Sequence, residues 1–580
     1  MKTLNVRMRI LAVAVVCAVV LSFLPSAVNA QRKSKSAAAQ SAAPAEPVIP
    51  SVQRAEDPDL EFINRLRDEE FRHGQVMDIM SNLVDNIGPR LTGSPNMKRA
   101  NEWTRDQLTD WGLVNAHVEP WGTFGRGWAY QMAEVRMTAP DTMQFLALPQ
   151  AWTPGTNGPV SGQPVLMTAT TPEDLAKYKG QLAGKIVLMG DPRYPDPIDK
   201  AIFHRYDDAD LEKLSAYDIP GAPGQGRAQA GPPVDFRARM RFATALTQFL
   251  QDEKPAAVLQ PSRNPGQDGT IFVQSGGSYE KGKTSVVPML TVALEHYNRV
   301  LRLLAKKTPV TLEVNVQAQF YDDDDKSYNT VAEIPGTDPR LKAQLVMLGG
   351  HMDSWHGGTG ATDNAAGVSV AMEAVRLLKK LGVQPRRTIR IALWAGEEEG
   401  LLGSRGYVKE HFGGRPDAPV TAANRDLPGF MRPPAGPLQL KPEQKFVSGY
   451  FNYDNGTGRI RGVYLQENGL VAPIFRKWME PFRDLGMTTL APGNTGGTDH
   501  LSFDAVGIPG FQFIQDEMDY STLTHHSNLD VYEHIRANDL KQAAVIMASF
   551  VYNTAMRDEM LPRKPLRPDD PPPPQRPGGN

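Results

Sequence analysis

Short apolar runs and longer stretches with helical spacing alternate along the second half of the chain. The runs "QLVMLGG" and "TIRIALW" have the length and composition of buried strands. The segment between them, "NAAGVSVAMEAVRLLKKLG", has a helical pattern with apolar residues on one face: Val368, Ala371, Val375 and Leu378. Because strands alternate with helices, we predict an α/β fold in which a mainly parallel, mixed sheet is flanked by helices on both faces.

The first half of the chain begins with helical patterning and then changes character. Apolar residues recur at helical spacing from about Pro58, and a second helix is predicted to end at Gly112. Over residues 137–290, short strand-like runs ("QPVLM", "GKIVLMG", "AAVLQ" and "TIFVQ") are separated by turns rich in Gly and Pro, with a helical stretch among them. We therefore predict a β-rich domain at 137–290, inserted between two parts of an α/β domain, residues 56–136 and 291–560.

Both ends of the chain have compositions that do not favour a packed core. Residues 1–30 combine a basic start, the apolar run "ILAVAVVCAVVLSFL" and small residues before Ala30, as a cleavable signal peptide does. The compositions predict a flexible linker at 31–55 and a Pro-rich disordered tail at 561–580. The only cysteine, Cys17, lies within the signal, so the mature protein would form no disulfide.

These features predict export to the periplasm or the extracellular medium. The alternative is an uncleaved signal that anchors the protein, although the apolar run is shorter than a comfortable membrane span. After cleavage, we expect no stable membrane insertion.

Overall composition indicates an ordinary soluble globular protein. The chain has 580 residues, of which 41% are hydrophobic and 22% charged. The net charge is -2 and no long basic stripe is present, which argues against nucleic acid as a partner.

His, Asp and Glu residues cluster directly after the predicted strands or at the start of the following helix. The carboxyl ends of parallel strands meet at one edge of a sheet, where ligand sites form. The clusters are His351 and Asp353, Asp363, Glu397 to Glu399, Asp454, Asp499 and His500, and His525, His526 and Asp530. Imidazoles and carboxylates are ligands for zinc and similar divalent metals. Five ligands from separate places, one of them a bridging carboxylate, suit a pair of ions.

Each cluster by itself has a plainer interpretation. Asp363 could cap a helix, the glutamate triplet could be a charged turn, and paired histidines in a loop are often exposed. The joint occurrence at successive strand ends favours a metal site. In such a site, Asp353 and Asp530 are predicted to hold the rings of His351 and His526 through the nitrogens that do not face the metal.

Several motifs together resemble those of the co-catalytic two-zinc exopeptidases. They are "HMDSW…GATDNAAG", "WAGEEEGLLGS", "NYDNGTG", "GGTDHLSF" and "HHSNLD". The family includes secreted bacterial aminopeptidases, glutamate carboxypeptidase and carboxypeptidase Q. The sequence pattern "HxDSW" and the early segment "NIGPRLTGSP" are most similar to those of the carboxypeptidase Q branch. The resemblance covers residues 60 to 555, and it implies that the inserted segment is a protease-associated domain.

The resemblance also implies a ligand set for two Zn²⁺ ions. His351 and Asp454 would bind one ion, Glu398 and His526 the other, and Asp363 would bridge them. A long loop between Glu398 and Asp454 separates two of these ligands.

The resemblance also implies expectations for three residues next to these ligands. Glu397 would be the general base. Glu399 falls on the variable position of the family pattern Glu-Glu-any-Gly-Leu, so we expect it to tolerate replacement. His525 stands where several relatives have a Tyr that polarises the scissile carbonyl, and it is a second catalytic candidate.

The implied function is that of an exported metallo-exopeptidase acting on a peptide or dipeptide. The ligands leave open whether it is an aminopeptidase, a dipeptidase or a carboxypeptidase, and the sequence leaves the oligomeric state open. Two alternatives are a glutaminyl-cyclase-like acyltransferase, which uses one zinc in relatives, and a non-catalytic receptor-like protein. The complete set of motif ligands argues against both.

Overall fold

The computed structural model describes residues 57–566, except 196, 217–235, 264–267, 284, 286, 422–431 and 433–434. The predicted signal peptide (1–30), the predicted linker (31–55) and the tail beyond 566 lie outside the described residues. Within the described part, no helix is both long enough and apolar enough to span a membrane.

The α-helices lie mainly in the first hundred described residues and in the second half of the chain. They are α1 (Leu60–His73), α2 (Val76–Ser81), α3 (Pro95–Asp110), α4 (Asp208–Ser215), α5 (Phe236–Glu253), α6 (Leu294–Ala305), α7 (Ala366–Lys380), α8 (Leu402–His411), α9 (Ala472–Met479), α10 (His500–Asp504) and α11 (Ala537–Met556).

The strands of the first half are β1 (Val114–Thr123), β2 (Gly127–Ala139), β3 (Met143–Phe145), β4 (Ala147–Pro149), β5 (Val160–Gly162), β6 (Pro164–Met167), β7 (Ile186–Met189), β8 (Ala257–Pro261) and β9 (Met289–Val292). Those that follow are β10 (Thr311–Tyr321), β11 (Lys326–Ile334), β12 (Leu345–His351), β13 (Thr388–Trp394), β14 (Gly413–Gly414), β15 (Gln439–Leu440), β16 (Val447–Asn452), β17 (Ile460–Tyr464), β18 (Thr489–Ala491) and β19 (Gly510–Gln515).

A mixed sheet with the order β1-β11-β13-β12-β16-β19-β17-β18 is the frame of the α/β part. Its central strands β13, β12, β16 and β19 are mutually parallel, and the strands on either side add antiparallel pairs. The predicted fold class, a mainly parallel and mixed sheet with helices packed against it, is confirmed. The carboxyl ends of all four parallel strands therefore lie at one edge.

Local sequence signals explain where the first helices begin. Asp59 caps α1, because its carboxylate accepts a hydrogen bond from Phe62 N at 2.9 Å. Ser94 caps α3 in the same way, and Pro95 stands at the first turn, where its missing N–H is not needed. Both helices coincide with helical patterns in the sequence.

Helix α7 is more buried than its amphipathic pattern predicts. Val368, Ala371, Val375 and Leu378 are in the core, as expected, but the rest of Ala366–Leu378 is buried as well. The helix packs against β12 on one side and is covered by α11, α1 and α2 on the others. Its remaining faces carry small and apolar residues together with Glu373 and Arg376, and these two buried charges form an ion pair at 2.7 Å.

The segment between β1 and β11 contributes two further sheets. One is antiparallel, with the order β3-β2-β10-β5, and the other has the order β4-β9-β8-β7-β6 with mostly parallel pairs. The runs "QPVLM", "GKIVLMG" and "AAVLQ" correspond to β6, β7 and β8. The run "TIFVQ" is in neither sheet. It pairs instead at Phe272 with Ser527, far along the chain. The domain limits 137 and 290 stay a prediction.

The beginning of the predicted tail packs against the α/β part. Leu561 is buried, Lys564 forms an ion pair with Asp504 at 2.7 Å, and Arg563 donates a hydrogen bond to the Val447 carbonyl at 2.6 Å.

Candidate metal centre

The predicted ligands converge at the carboxyl edge of the parallel strands. His351 is the last residue of β12, and Asp454 follows β16. Glu398 lies in the turn between β13 and α8, Asp363 lies in an irregular turn just before α7, and His526 lies in the loop after β19. The strand order thus brings together residues from five separate parts of the sequence.

Asp363 lies between two groups of ligands, which we name the His351 side and the His526 side. On the His351 side, His351 Nε2 is 3.2 Å from Asp363 Oδ1 and 3.4 Å from Asp454 Oδ1. On the His526 side, His526 Nε2 is 3.2 Å from Asp363 Oδ2 and 2.8 Å from Glu398 Oε2. Asp363 therefore presents one oxygen to each side, as a bridging carboxylate would.

Glu397 is beside the His351 side but makes no ligand-like contact of its own in the described structure. Burial raises the pKa of its carboxyl well above the usual range, and the neighbouring carboxylates of Asp454 and Asp499 raise it further. Its backbone N–H donates to Asp353 Oδ1 at 3.3 Å, which fixes the turn that carries it.

Asp499 is a buried acid that the sequence placed in a motif without a role. Among the described residues, neither of its carboxylate oxygens has a hydrogen-bond partner. Burial raises its pKa to about 7. It adds a further carboxyl to the surroundings of His351 and Glu397.

His525 lies at the opening of the cluster. Its Nε2 is 3.9 Å from Asp363 Oδ2, and its ring is 3.8 Å from that of His526. Burial and the neighbouring His526 lower the pKa of His525 to about 4, so its imidazole is neutral at pH 7. Its distance also places it with Asp363 and His526 in a group that could hold a metal ion.

Tyr520 is a neighbour that the sequence reasoning missed. Its ring packs against the His525 ring with 4.8 Å between centroids, and the side chain is buried. Burial and the carboxylates of Asp363, Asp454 and Glu398 raise the pKa of its hydroxyl well above the usual range. A tyrosine is thus present beside His525, although it does not directly precede the last ligand.

Asp353 supports both a ligand and the glutamate turn. His351 Nδ1 is 3.1 Å from the Asp353 carbonyl oxygen and 3.6 Å from Oδ1. Asp353 Oδ2 accepts hydrogen bonds from Thr92 Oγ1 at 3.1 Å and from Glu398 N at 3.2 Å. Because Nδ1 faces this residue, Nε2 of His351 is left to face the cluster.

Asp530 supports Asp363 rather than the ring of His526, which it was predicted to hold. Its Oδ1 accepts hydrogen bonds from Thr362 N at 2.5 Å and from Thr362 Oγ1 at 2.7 Å, and its Oδ2 accepts from Asp363 N at 3.2 Å. The sequence separation of four residues suggested the wrong partner, because the loop turns its carboxylate toward the start of α7.

Arg90, from the early segment "NIGPRLTGSP", is a second residue without a predicted role. It is fully buried and donates hydrogen bonds to the carbonyls of Met352, Thr359 and Gly360 at 2.7 to 2.8 Å. These carbonyls belong to the loop that connects His351 with Asp363. In the sequence, the only signal for this supporting role of Arg90 was its position in a motif with glycine and proline.

Glu399 is buried although it falls on a variable motif position. Neither of its oxygens has a hydrogen-bond partner in the described part of the chain, and burial together with the Asp353 carboxylate raises its pKa well above the usual range. The three adjacent glutamates therefore differ sharply: Glu398 faces His526, Glu397 faces the His351 side, and Glu399 is enclosed.

Comparison with known proteins gives this geometry a family. Residues 329–551 match the model of peptidase family M28. These residues form an M28 peptidase domain. Their range contains every predicted ligand, and the chain is a metallopeptidase, so the predicted enzyme class is confirmed.

Similarity to individual proteins extends beyond the M28 domain. Carboxypeptidase Q of Bos taurus is 26% identical over 482 residues, which are 83% of this chain and 85% of that protein. Carboxypeptidase Q of Homo sapiens is 25% identical with the same coverage. Leupeptin-inactivating enzyme 1 of Streptomyces exfoliatus is 28% identical over 184 residues, 31% of this chain and 34% of that enzyme. The predicted resemblance is confirmed.

Two solved structures share the fold. A peptidase M28 precursor from Shewanella amazonensis SB2B has a TM-score of 0.59 at 23% identity, covering 87% of this chain and 99% of that one. BSAP, a zinc aminopeptidase from Bacillus subtilis, has a TM-score of 0.50 at 17% identity, covering 83% and 95%.

Proposed function

We propose that the protein is an exported zinc exopeptidase that hydrolyses peptide bonds near chain ends. The observation that carries this proposal is the placement of Asp363, with one oxygen facing His351 and the other facing His526. Similar proteins named carboxypeptidase Q and a zinc aminopeptidase of the same fold support the choice of metal and of substrate class.

The donors present fit two zinc ions. His351 and Asp454 would hold one ion, Glu398 and His526 the other, and Asp363 both. Burial alone would lower the pKa of His526, but the Glu398 and Asp363 carboxylates raise it to about 10. The site thus draws positive charge to this nitrogen, and Glu398 Oε1 has no hydrogen-bond partner in the described structure. Imidazole nitrogens and carboxylates in this number are suitable zinc ligands.

When bound, the metal pair supplies Lewis-acid chemistry that activates water and polarises the scissile carbonyl. The carboxylate of Glu397 accepts the proton from the attacking water, since burial gives this group a raised affinity for protons. Glu397 then donates that proton to the nitrogen of the leaving amine. The neutral His525 imidazole, at the opening of the cluster, donates a hydrogen bond to the carbonyl oxygen as negative charge develops there.

The base is tested by comparing Glu397 with Glu399, which lies two residues further along the same turn. Glu397→Gln should lower kcat by roughly 10²- to 10⁴-fold, because general acid–base catalysis contributes about this much. Zinc content measured by mass spectrometry should stay at two ions per chain. The matched control is Glu399→Gln, which should keep activity close to wild type. Wild-type turnover in Glu397→Gln would show that another group is the base.

A substrate panel tests the reaction class. Aminoacyl anilides, free dipeptides and peptides blocked at the amino terminus should be assayed with and without 1,10-phenanthroline. We expect hydrolysis of at least one of these substrate classes, its loss with chelator and its return with added zinc. Chelator-resistant hydrolysis, or no hydrolysis of any member by the zinc-loaded protein, contradicts the proposal.

Export and the inserted domain are part of the same proposal. The pattern of residues 1–30 supports a cleaved signal, and amino-terminal sequencing of protein from the medium or periplasm should find a start at Gln31. The sheets formed between β1 and β11 are compatible with a protease-associated domain at 137–290. A protein recovered only with membranes and with an intact start would contradict export.

A further inference from the structure

The loop that carries His525 and His526 is fastened by two segments that precede the M28 domain in sequence. We name residues 516–530 the histidine loop, residues 202–206 the first strap and residues 269–273 the second strap. Both straps lie outside residues 329–551, the part that matches the M28 model.

The first strap pairs with the start of the histidine loop. His204 N donates to the Met518 carbonyl at 2.8 Å, and Met518 N donates to the His204 carbonyl at 2.7 Å. Thr522 Oγ1 also donates to the Ile202 carbonyl. These bonds form an antiparallel bridge between segments that are not neighbours in any sheet.

Ion pairs reinforce this contact. Arg205 reaches Asp516 Oδ2 at 2.9 Å and Asp539 Oδ2 at 2.6 Å. Both carboxylates are buried, and Asp516 Oδ1 is also 2.9 Å from Arg461 Nη1. A buried carboxylate depends on such partners, so the first strap is tied to the base of the histidine loop.

The second strap pairs with the part of the loop that contains His526. Val273 N donates to the His526 carbonyl at 2.8 Å. Asn528 N donates to the Ile271 carbonyl at 3.0 Å, and Ile271 N donates to Asn528 Oδ1 at 2.6 Å. Asn528 Nδ2 also donates a hydrogen bond to the Gly269 carbonyl at 3.2 Å. The side chain of Asn528 is therefore a two-point link between loop and strap.

The backbone of His526 explains why such a link is needed. Its φ is +55°, in the left-handed region that residues with a side chain rarely adopt without support. The imidazole must nevertheless meet Glu398 Oε2 at 2.8 Å. Because the Val273 N–H binds the His526 carbonyl, the second strap acts directly on the strained residue.

We propose that the straps position His526 for metal binding, and that Asn528 and Arg205 are positioning residues of the His526 side. This inference rests on the proposed function. It implies that residues of the inserted segment help to hold the metal centre. The insert would then determine how tightly one of the two ions is bound, in addition to any contact that it makes with substrate.

The test compares two asparagines with similar hydrogen bonds. Asn528→Ala removes the two-point link to the second strap. The control, Asn298→Ala, removes a similar link between α6 and Arg193, since Asn298 accepts from Arg193 N at 3.2 Å and donates to the Arg193 carbonyl at 2.6 Å. Asn298 does not belong to the histidine loop. Asn528→Asp keeps the acceptor for Ile271 N and should partly restore the wild-type behaviour.

Zinc release to a chelator is the main measurement. We expect wild type and Asn298→Ala to release two ions with the same kinetics. In Asn528→Ala, one ion should leave at least about 10-fold faster, as after loss of other groups that orient a ligand. The kcat of Asn528→Ala should fall with little change in KM, and excess zinc should restore it. Equal release rates in all three proteins, or equally fast release from Asn298→Ala, would overturn the inference.

Hydrogen–deuterium exchange of the metal-free proteins gives a readout that is independent of zinc. Amides of the histidine loop should exchange faster in Asn528→Ala than in wild type or Asn298→Ala. Unchanged protection overturns the positioning role. A wild-type protein that binds no zinc overturns the proposed function and the inference together, whereas a two-zinc wild type with an unaffected Asn528→Ala variant overturns the inference alone.

Discussion

The two sides of the proposed metal centre contain the same kinds of donor but differ in how those donors are held. On the His351 side, His351 and Asp454 extend directly from neighbouring parallel strands, and their side chains are 1% and 4% exposed. On the His526 side, Glu398 is in a tight turn and His526 is in a loop, with 20% of its side chain exposed. The register of the sheet determines the geometry of the His351 side, whereas contacts between distant segments determine the geometry of the His526 side. The two sides should therefore respond differently to substitutions that leave the ligands unchanged.

Substitution of Asp363 should weaken zinc binding on the His351 side and on the His526 side alike. Asp363→Ala removes the one carboxylate that faces both histidines, so both ions should bind more than about 100-fold more weakly, a larger loss than an outer-shell substitution causes. Calorimetric titration with zinc measures this directly. Retention of one tight site would mean that Asp363 serves only one side.

Substitution of Arg90 should weaken the His351 side and the bridging residue without touching the histidine loop. Arg90→Lys cannot reproduce the planar set of donors that binds the loop carbonyls between His351 and Asp363. We expect a loss of about 2 to 3 kcal/mol in the free energy of unfolding and about 10-fold in zinc affinity.

The control for Arg90 is another buried arginine that binds carbonyls. Arg387 donates to the carbonyls of Thr554, Arg557 and Asp558, remote from the predicted ligands in sequence. Arg387→Lys should lose a similar amount of stability in urea unfolding but retain zinc affinity. Equal zinc affinities in the two variants would contradict a positioning function for Arg90.

The smallest effect on zinc binding is expected from Glu70, whose substitution changes the stability of the core without changing the metal centre. Burial, together with Glu373, raises the pKa of Glu70 to about 10, so its carboxyl is protonated in the folded protein at neutral pH. The unfolded chain loses this proton above pH 4.5, and stability should therefore fall as the pH rises from 4.5 towards 10, by at most about 1.4 kcal/mol per unit. Glu70→Gln should flatten this dependence between pH 6 and 8 in urea unfolding and leave zinc release unchanged. The same pH slope in both proteins would show that Glu70 is ionised when folded.

The sequence predicted the parts of the centre that depend on strand order. The rule that parallel strands end at one edge needs only the alternation of strands and helices, and it predicted that the clusters containing His351, Asp363, Glu398, Asp454 and His526 would meet there. The choice of these five residues as ligands came from the family resemblance. The resulting contacts are those expected of the ligands, while their roles stay predictions.

Features that depend on contacts between distant segments could not be predicted in the same way. The run "TIFVQ" has a strand-like pattern, but its partner is the histidine loop and not a sheet of the insert. Asp530 turns toward Thr362, and Tyr520 reaches His525 through a turn of the loop. Glu399 is enclosed because the glutamate turn packs inward, which its place at a variable motif position did not indicate. None of these partners is encoded by local periodicity.

The first strap has a consequence for the time at which the enzyme becomes active. Arg205 and Asp516 are separated by 311 positions, so their contact closes a very long loop of chain. During synthesis, the first strap leaves the ribosome well before the histidine loop has been made. With the straps acting as proposed, the peptidase should accordingly be inert while it is being made. Its activity would begin only when the last part of the chain returns to the segment that was synthesised near the beginning.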